Sequence, residues 1–359
     1  MKKVIVAGST GSVGTQTLDV IAANPDRFRL VGISAGHDSA LLSSQAAAFG
    51  GIPNVLGIRD SVSLVQNTDA DIVVNAVTGS RGLGVSLAAL DAGRVLALAN
   101  KESLIAAGPL LSSHAGAHRI VPVDSEHAAI AQALRAGHQQ EVRRLILTAS
   151  GGPFRGRQRK ELQDVTPQDA LRHPTWSMGR TITTNSATLM NKGFELIEAH
   201  YLFSVPIESI EVVVHRQSVV HSMVEYVDGS TIAQAARPDL RLAIASALNW
   251  PDHLPGAVEP LDWSVSHSWD FEPLDDVGSP AVELARSAVR MGGSYPAVLN
   301  AANEVAVDAF HSRAIGFLDI VDVVDAVLNE HRPPEVFAME TLQSIETEAR
   351  RSATRFIRR

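Results

Sequence analysis

The stretch PVDSEHAA, Pro122 to Ala129, places Asp124, Ser125, Glu126 and His127 directly after RIV, a run that reads as a buried strand. Two carboxylates one residue apart repel each other unless a cation or a proton lies between them. The apolar flanks make full hydration of both unfavourable. The pair therefore calls for a neutralising partner.

A second cluster lies near the start of the chain. GSTGSVG, Gly8 to Gly14, separates the strand-like KKVIVA from an amphipathic helical segment and has the spacing GxxGxxG. In that context backbone N–H groups and a helix N-terminus meet a dinucleotide pyrophosphate, and Ser9, Thr10 and Ser12 add hydroxyl donors. Glycines also serve tight strand-to-helix packing.

Further along, LTASGGPFRG carries Ser150, Gly151 and Gly152 just past a strand. This is either a flexible crossing loop or a substrate-contacting one. HPTWSMG, His173 to Gly179, sets a Trp and a Met in a loop, which suits a lid over a ligand or packing onto a domain face. TTNSATLMNKGFELIEAHYLF reads as a helix with Ser186 as N-cap. Asn191 and Glu195 are then neighbours on one face, with Lys192 and Glu198 nearby. Such a stripe is either a solvated Lys–Glu surface or a site, and Gly193 inside the helix needs a close approach to justify it. His221 alternates with Val220 and Ser222 in a strand and is structural or catalytic.

These groups need a scaffold. KKVIVAG, RLVGISAG, NVLGI, DIVVNAV, RVLALAN, RIVPVD and VRRLILTAS are strand candidates, alternating at first with helical segments such as TQTLDVIAAN, SALLSSQAAAF and LGVSLAALDAG. Doubly buried strands joined by helices predict a parallel, doubly wound sheet. The following segment alternates apolar residues around an Asp228-Gly229 turn, as a hairpin does. WPDHLPGAVEPLDW has the composition of a linker, and helical periodicity dominates after it. The expected fold class is α/β: a Rossmann-like domain over 1–149, a central α+β domain over 150–250, a linker over 251–278 and a C-terminal helical bundle over 279–359.

The 359 residues carry a net charge of -8 and no cysteine. An acidic chain disfavours nucleic acid as a partner, and disulfide, thiolate and cysteine-nucleophile chemistry is excluded. Lys2 and Lys3 precede an apolar run too short for a signal peptide, and no segment has the apolar length of a membrane span. A soluble, cytoplasmic enzyme is expected.

GSTGSVG, ANKESL, PVDSEHAA, LTASGGPFR, HPTWSMG, NSATLMNKGFELIEAH, QSVVHSMVEYVDGS and LNAANEVAVDAF occur in that order. From about Val4 to Gly316 the chain resembles the 1-deoxy-D-xylulose 5-phosphate reductoisomerases, NADPH-dependent enzymes of the methylerythritol phosphate route to isoprenoids. The resemblance implies that Asp124, Glu126 and Glu195 bind a divalent metal, Mg²⁺, Mn²⁺ or Co²⁺. It implies Lys101 and His221 as further catalytic residues, and Ser125, Ser150, His173, Trp176, Ser186, Asn191 and Lys192 as substrate contacts. Gly8, Thr10, Gly11, Ser12, Val13, Gly36, Asn100, Glu102 and Gly179 would meet NADPH. A sugar phosphate is then the substrate, held by one lysine and neutral donors despite the global charge. The resemblance also implies a homodimer built through the central domain's sheet.

Some positions depart from the usual family pattern: Asn185 where many members carry Asp, Arg216 and Ala243 where prolines are common, and a short segment between Ala40 and Asp71. His37-Asp38 after the second strand predicts a weakened preference for NADPH over NADH, since a carboxylate suits a ribose hydroxyl better than a phosphate. Arg81 is a candidate for the compensating charge. One other function class remains open at this level, a metal-free NADP-dependent dehydrogenase whose carboxylates are a salt-bridge cluster; a non-catalytic binding paralogue is disfavoured because Asp124, Glu126, Glu195 and Lys192 are all present.

Overall fold

In the computed structural model of the chain, residues 1–114, 119–176, 178–274 and 280–358 are described. Two compact units divide it. The first comprises Met1–Leu104, Leu111–Gln132 and Asp239–Leu261, and the second Ile105–Leu110, Ala133–Pro238 and Asp262–Arg359.

The first unit holds strands β1 (Lys2–Ala7), β2 (Phe28–Ala35), β3 (Asn54–Leu56), β4 (Ile72–Asn75), β5 (Val95–Leu98) and β6 (Ile120–Pro122). They form one sheet in the order β3-β2-β1-β4-β5-β6, parallel throughout. The helices α1 (Ser12–Ala22), α2 (Ser39–Ala48), α3 (Ile58–Asn67) and α4 (Leu83–Asp91) follow the first four strands in turn. Helices α5 (Lys101–His114) and α6 (Ser125–Ala133) begin just past β5 and β6. Central strands such as β4 are buried along their whole length, which is why IVVN needs no polar face. The strand order reverses between β1 and β4, and doubly wound sheets bind ligands at that edge.

The second unit is built on a mixed sheet, β10-β9-β7-β8-β11, with β7 (Val142–Ala149), β8 (Ile210–Val214), β9 (Val220–Tyr226), β10 (Thr231–Ala235) and β11 (Glu272–Pro273). Strand β7 pairs parallel to β8 and antiparallel to β9. The β9–β10 hairpin turns at Gly229, φ +86°, where Asp228 Oδ1 accepts the Ser230 N–H at 2.9 Å. Helices α7 (Pro167–Ala170), α8 (Arg180–Ala187) and α9 (Met190–Phe203) precede β8, and Pro280–Met291, Tyr295–His311, Asp319–Glu330 and Met339–Ile357 end the chain. Phe194 and Ile197 share one core with Val298, Phe310 and Val324.

The fold class agrees with the expectation, but the boundaries move. VRRLILTA reads like another strand of the parallel sheet, yet as β7 it lies in the second sheet, so the chain changes unit at Gln132 and not after Ala149. The expected linker is divided as well. Leu254 is 7% exposed in the core of the first unit, which also takes helix Arg241–Asn249, whereas Phe271 stacks on His215 at 4.6 Å in the second. Residues 275–278 of that linker lie outside the described residues. The expected central and C-terminal domains fall in one compact unit, because α9 and the C-terminal helices contribute side chains to a single apolar core.

Candidate active site

At the first turn of the parallel sheet, Gly8 takes φ +83°, and a Cβ there would lie 2.5 Å from Ala76 O. At Gly14 a Cβ would lie 2.2 Å from Gly8 O. Both glycines are therefore required for the turn to sit against β4 and under α1. Gly11 is the N-cap of α1 and no side chain caps the helix. Gly8, Thr10 and Val13 are half-buried at this edge, and Gly11 and Ser12 are exposed. Ser9 is fully buried and donates its hydroxyl to Gln45 Oε1 at 2.8 Å, so it ties the turn to α2 and is not a ligand donor. Gly36, at the end of β2, has nothing within 4 Å of a Cβ position.

The ends of β4 and β5 are joined by a buried network. Asn100 donates to Val77 O at 2.6 Å and Gly79 O at 3.0 Å, and its Oδ1 accepts the Ser103 N–H at 3.1 Å. Glu102 Oε1 accepts the Gly79 N–H at 3.2 Å, and Asn75 donates to Gly82 O at 2.9 Å. Asn100, 2% exposed, spends its amide inside the protein. The two residues assigned to the cofactor thus hold the loop 77–82 in place. Asn75, which sequence reasoning passed over, belongs to this network. Its only sequence signal is a polar residue ending an otherwise apolar strand.

Asp124 follows β6 and is fixed three ways. Its Oδ1 accepts the N–H groups of Glu126 at 3.0 Å and His127 at 3.3 Å, at the start of α6, and its Oδ2 meets Lys101 Nζ at 2.7 Å. Ser125 Oγ donates to Glu126 Oε2 at 2.5 Å. Lysine and carboxylate come from the starts of successive helices, α5 and α6, because β5 and β6 are neighbours. Lys101 therefore answers part of the repulsion between Asp124 and Glu126.

In the second unit, Ser150 stands at the end of β7. Its Oγ lies 3.3 Å from His173 Nε2, while His173 Nδ1 accepts the N–H groups of Thr175 at 3.2 Å and Trp176 at 2.9 Å. An Nδ1 that accepts carries no proton, so the imidazole is the neutral Nε2–H form and donates to Ser150. Burial lowers the His173 pKa in the same direction. Gly152, φ +66°, would place a Cβ 2.7 Å from Ser186 O, which brings the Ser150 loop onto the end of α8. The glycine doublet was the sequence signal for that approach.

Ser186 is not an N-cap. It lies within α8 and donates to Ile182 O at 3.1 Å, and a left-handed Leu189, φ +62°, separates α8 from α9. Gly179 is the N-cap of α8. On α9, Asn191 donates to Glu195 Oε1 at 2.5 Å, and Lys192 is ion-paired with the other carboxylate oxygen. Lys192 and Glu195 are 5% and 2% exposed, so this is no solvated stripe. The close approach that Gly193 permits is to a helix: a Cβ there would lie 2.9 Å from Ala285 Cβ and 3.1 Å from Ala281 O. Thr148, opposite the start of β9, donates to the carbonyls of Val220 and His221, which places the buried His221 beside the end of β7.

Family models for the 1-deoxy-D-xylulose 5-phosphate reductoisomerases match residues 4–61 and 50–108, and models of their C-terminal domains match 120–203 and 236–352. The reductoisomerase of Leifsonia xyli subsp. xyli is 58% identical over all of this chain and 99% of its own length. The chain belongs to the 1-deoxy-D-xylulose 5-phosphate reductoisomerase family. Among solved structures, the Zymomonas mobilis reductoisomerase in complex with NADPH is 39% identical, with 99% of each chain covered and a TM-score of 0.91. A second, in complex with NADPH, fosmidomycin and magnesium, is 35% identical, covers 100% of this chain and 98% of its own, and has a TM-score of 0.92. Asn185 Oδ1 accepts a hydrogen bond from Asn303 Nδ2 at 2.9 Å, a buried pairing of α8 with helix Tyr295–His311.

Proposed function

We propose that Asp124, Glu126 and Glu195 provide the carboxylate oxygens of a divalent metal site, Mg²⁺ or Mn²⁺, and that the glycine turn of the first unit binds NADPH. The reaction is the NADPH-dependent rearrangement and reduction of 1-deoxy-D-xylulose 5-phosphate to 2-C-methyl-D-erythritol 4-phosphate, in the methylerythritol phosphate route to isoprenoid precursors. The observation that carries the metal reading is the donor set: three carboxylates, each able to offer one oxygen to a cation. Hard oxygen ligands suit these ions, and none of the three is fully exposed.

The bound metal would polarise the vicinal oxygens of the substrate, and NADPH would supply the hydride. The remaining work belongs to side chains. Lys101 is held by Asp124 at the carboxyl edge of the parallel sheet, where a cation can meet both cofactor and substrate. Ser150, Ser186, Asn191 and Lys192 supply one positive charge and neutral donors for a phosphate, and His173 adds the Nε2–H. Trp176, fixed by its own N–H to His173, covers that pocket and excludes water. His221 lines the wall beside β7.

The same reading makes the chain a cytoplasmic homodimer associated through the second sheet, whose edge strands β10 and β11 are short. No helix among the described residues is long and apolar enough to cross a membrane. Light scattering on the purified protein tests the dimer.

NADPH oxidation with 1-deoxy-D-xylulose 5-phosphate, followed with and without Mn²⁺ and beside Glu195→Gln, tests the whole. Metal-dependent turnover that the variant abolishes is expected. Turnover that survives exhaustive chelation would favour the metal-free dehydrogenase, for which the Lys101–Asp124 and Lys192–Glu195 pairs would suffice as a salt-bridge cluster.

A further inference from the structure

We propose that Arg59 reads the 2′-phosphate of NADPH, from an adenosine seat at the carboxyl ends of β2 and β3; this rests on the reading of the first unit as the NADPH-binding body. In doubly wound sheets of this strand order, the dinucleotide crosses the edge at the switch point with its adenosine half over β2. An acid at the end of β2 suits a 2′-hydroxyl, and a nearby arginine suits a 2′-phosphate. Asp38 holds the acidic position, but its carboxylate accepts the Leu41 N–H at 3.0 Å and caps α2. The helix N-terminus offsets part of its charge. A phosphate placed there still needs a cation.

The neighbouring strand provides one. Ala35 of β2 is paired in register with Leu56 of β3, and the Gly57 N–H donates to Ala35 O at 2.9 Å. The loops after β2 and β3 therefore start side by side. Gly57, φ +86°, turns the chain into α3, whose first turn carries Arg59. Neighbouring strands lie about 4.8 Å apart, within the reach of an extended arginine. Arg59 is exposed and makes no ion pair or hydrogen bond among the described residues. A Cβ at Gly36 or Gly57 would meet nothing within 4 Å, so the space between the two loops is open.

Apolar surface marks the same corner independently. Apart from Met1, the exposed large apolar side chains of this unit among the described residues are Leu41, Leu56 and Ile58, at 40%, 40% and 37%. They start α2, end β3 and start α3. Exposed aliphatic surface rimmed by His37 and Arg59 suits a purine with a phosphate beside it.

Arg81 does not fit this role. It follows β4, which lies on the opposite side of β1 from β2, about 10 Å away by strand spacing. Its flanks are tied by the Asn75–Gly82 and Asn100–Gly79 hydrogen bonds, so the loop is not free to reach β3.

The test is kcat/KM for NADPH and for NADH in Arg59→Ala, Arg59→Lys and Arg81→Ala, with calorimetric binding of 2′,5′-ADP and 5′-AMP. Arg59→Ala is expected to lower the NADPH value about ten- to a hundredfold, the range set by charge-assisted bonds to a phosphate, and to leave the NADH value near wild type. Arg59→Lys restores part of the loss, and 2′,5′-ADP binding weakens in Arg59→Ala while 5′-AMP binding does not. Equal losses with both cofactors, no loss with either, or a collapsed NADPH/NADH ratio in Arg81→Ala would overturn the assignment. A wild-type protein that oxidises neither cofactor but binds 2′,5′-ADP through Arg59 would sink the reaction and keep the seat.

Discussion

His173 Nδ1 accepts the backbone N–H of Trp176 at 2.9 Å while the opposite ring nitrogen lies 3.3 Å from Ser150 Oγ. One imidazole thus shapes the turn that carries Trp176 and presents a proton on its far side. The two roles separate by substitution. His173→Asn keeps an acceptor near the Nδ1 position and loses the distal donor, so it is expected to fold as the wild type with the substrate KM raised about tenfold or more. His173→Ala loses the turn as well and should lower kcat further, through a disordered Trp176. Steady-state kinetics on both variants decides, and equal kcat in the two would show that the turn does not matter.

Three histidines of the second unit, His173, His311 and His331, have pKa values lowered by burial, with Arg180 adding to the effect at His311. A base with a depressed folded pKa binds fewer protons when folded than when unfolded. Its contribution is intact above the unfolded value of 6.5 and is lost as pH falls from there through the folded values. The urea midpoint is therefore expected to hold between about pH 8 and about pH 7 and to fall toward about pH 5. A flat profile across that window would contradict the burial of these rings.

Gly193→Ala sets two effects against each other. Alanine favours an isolated helix by about 1 kcal/mol over glycine. Here the added methyl would lie 2.9 Å from Ala285 Cβ and 3.1 Å from the carbonyl oxygen of Ala281. Overpacking of that kind costs about 1–3 kcal/mol, so a net loss of about 1 kcal/mol is expected in urea unfolding, with the substrate KM little changed. Unaltered stability with a raised KM would mean that the glycine makes room for a ligand and not for the facing helix.

The sequence showed the parallel sheet well, because strands buried on both faces and followed by glycine turns leave a local imprint. What it hid was partnership. VRRLILTA has the composition of a parallel-sheet strand, and nothing local says that it pairs with β8 and β9. Ser186 stood where a cap belongs in one long helix, since the left-handed Leu189 that breaks it carries no Gly or Pro signal. The Asn185–Asn303 pair spans 118 positions. Conversely, DSEH stood out from its residue types alone, because carboxylates with apolar neighbours are costly unless paired, whereas NKGFE read equally as a solvated Lys–Glu stripe and only the family resemblance singled out Glu195.

Metal binding is expected to show in stability without any turnover. A ligand that binds only the folded state stabilises it by RT ln(1 + [L]/Kd), about 2.7 kcal/mol at a hundredfold excess over Kd. Added Mg²⁺ or Mn²⁺ should therefore raise the melting temperature of the wild type by a few degrees, and chelator should reverse it. Glu195→Gln complicates the baseline, because it removes the buried negative charge paired with Lys192 and should destabilise the protein by itself. The informative quantity is the metal-dependent gain within each protein. A gain that disappears in Glu195→Gln places that carboxylate on the ion, whereas a gain kept in the variant would leave Asp124 and Glu126 holding the metal without help from α9, and Glu195 as the counter-charge of Lys192.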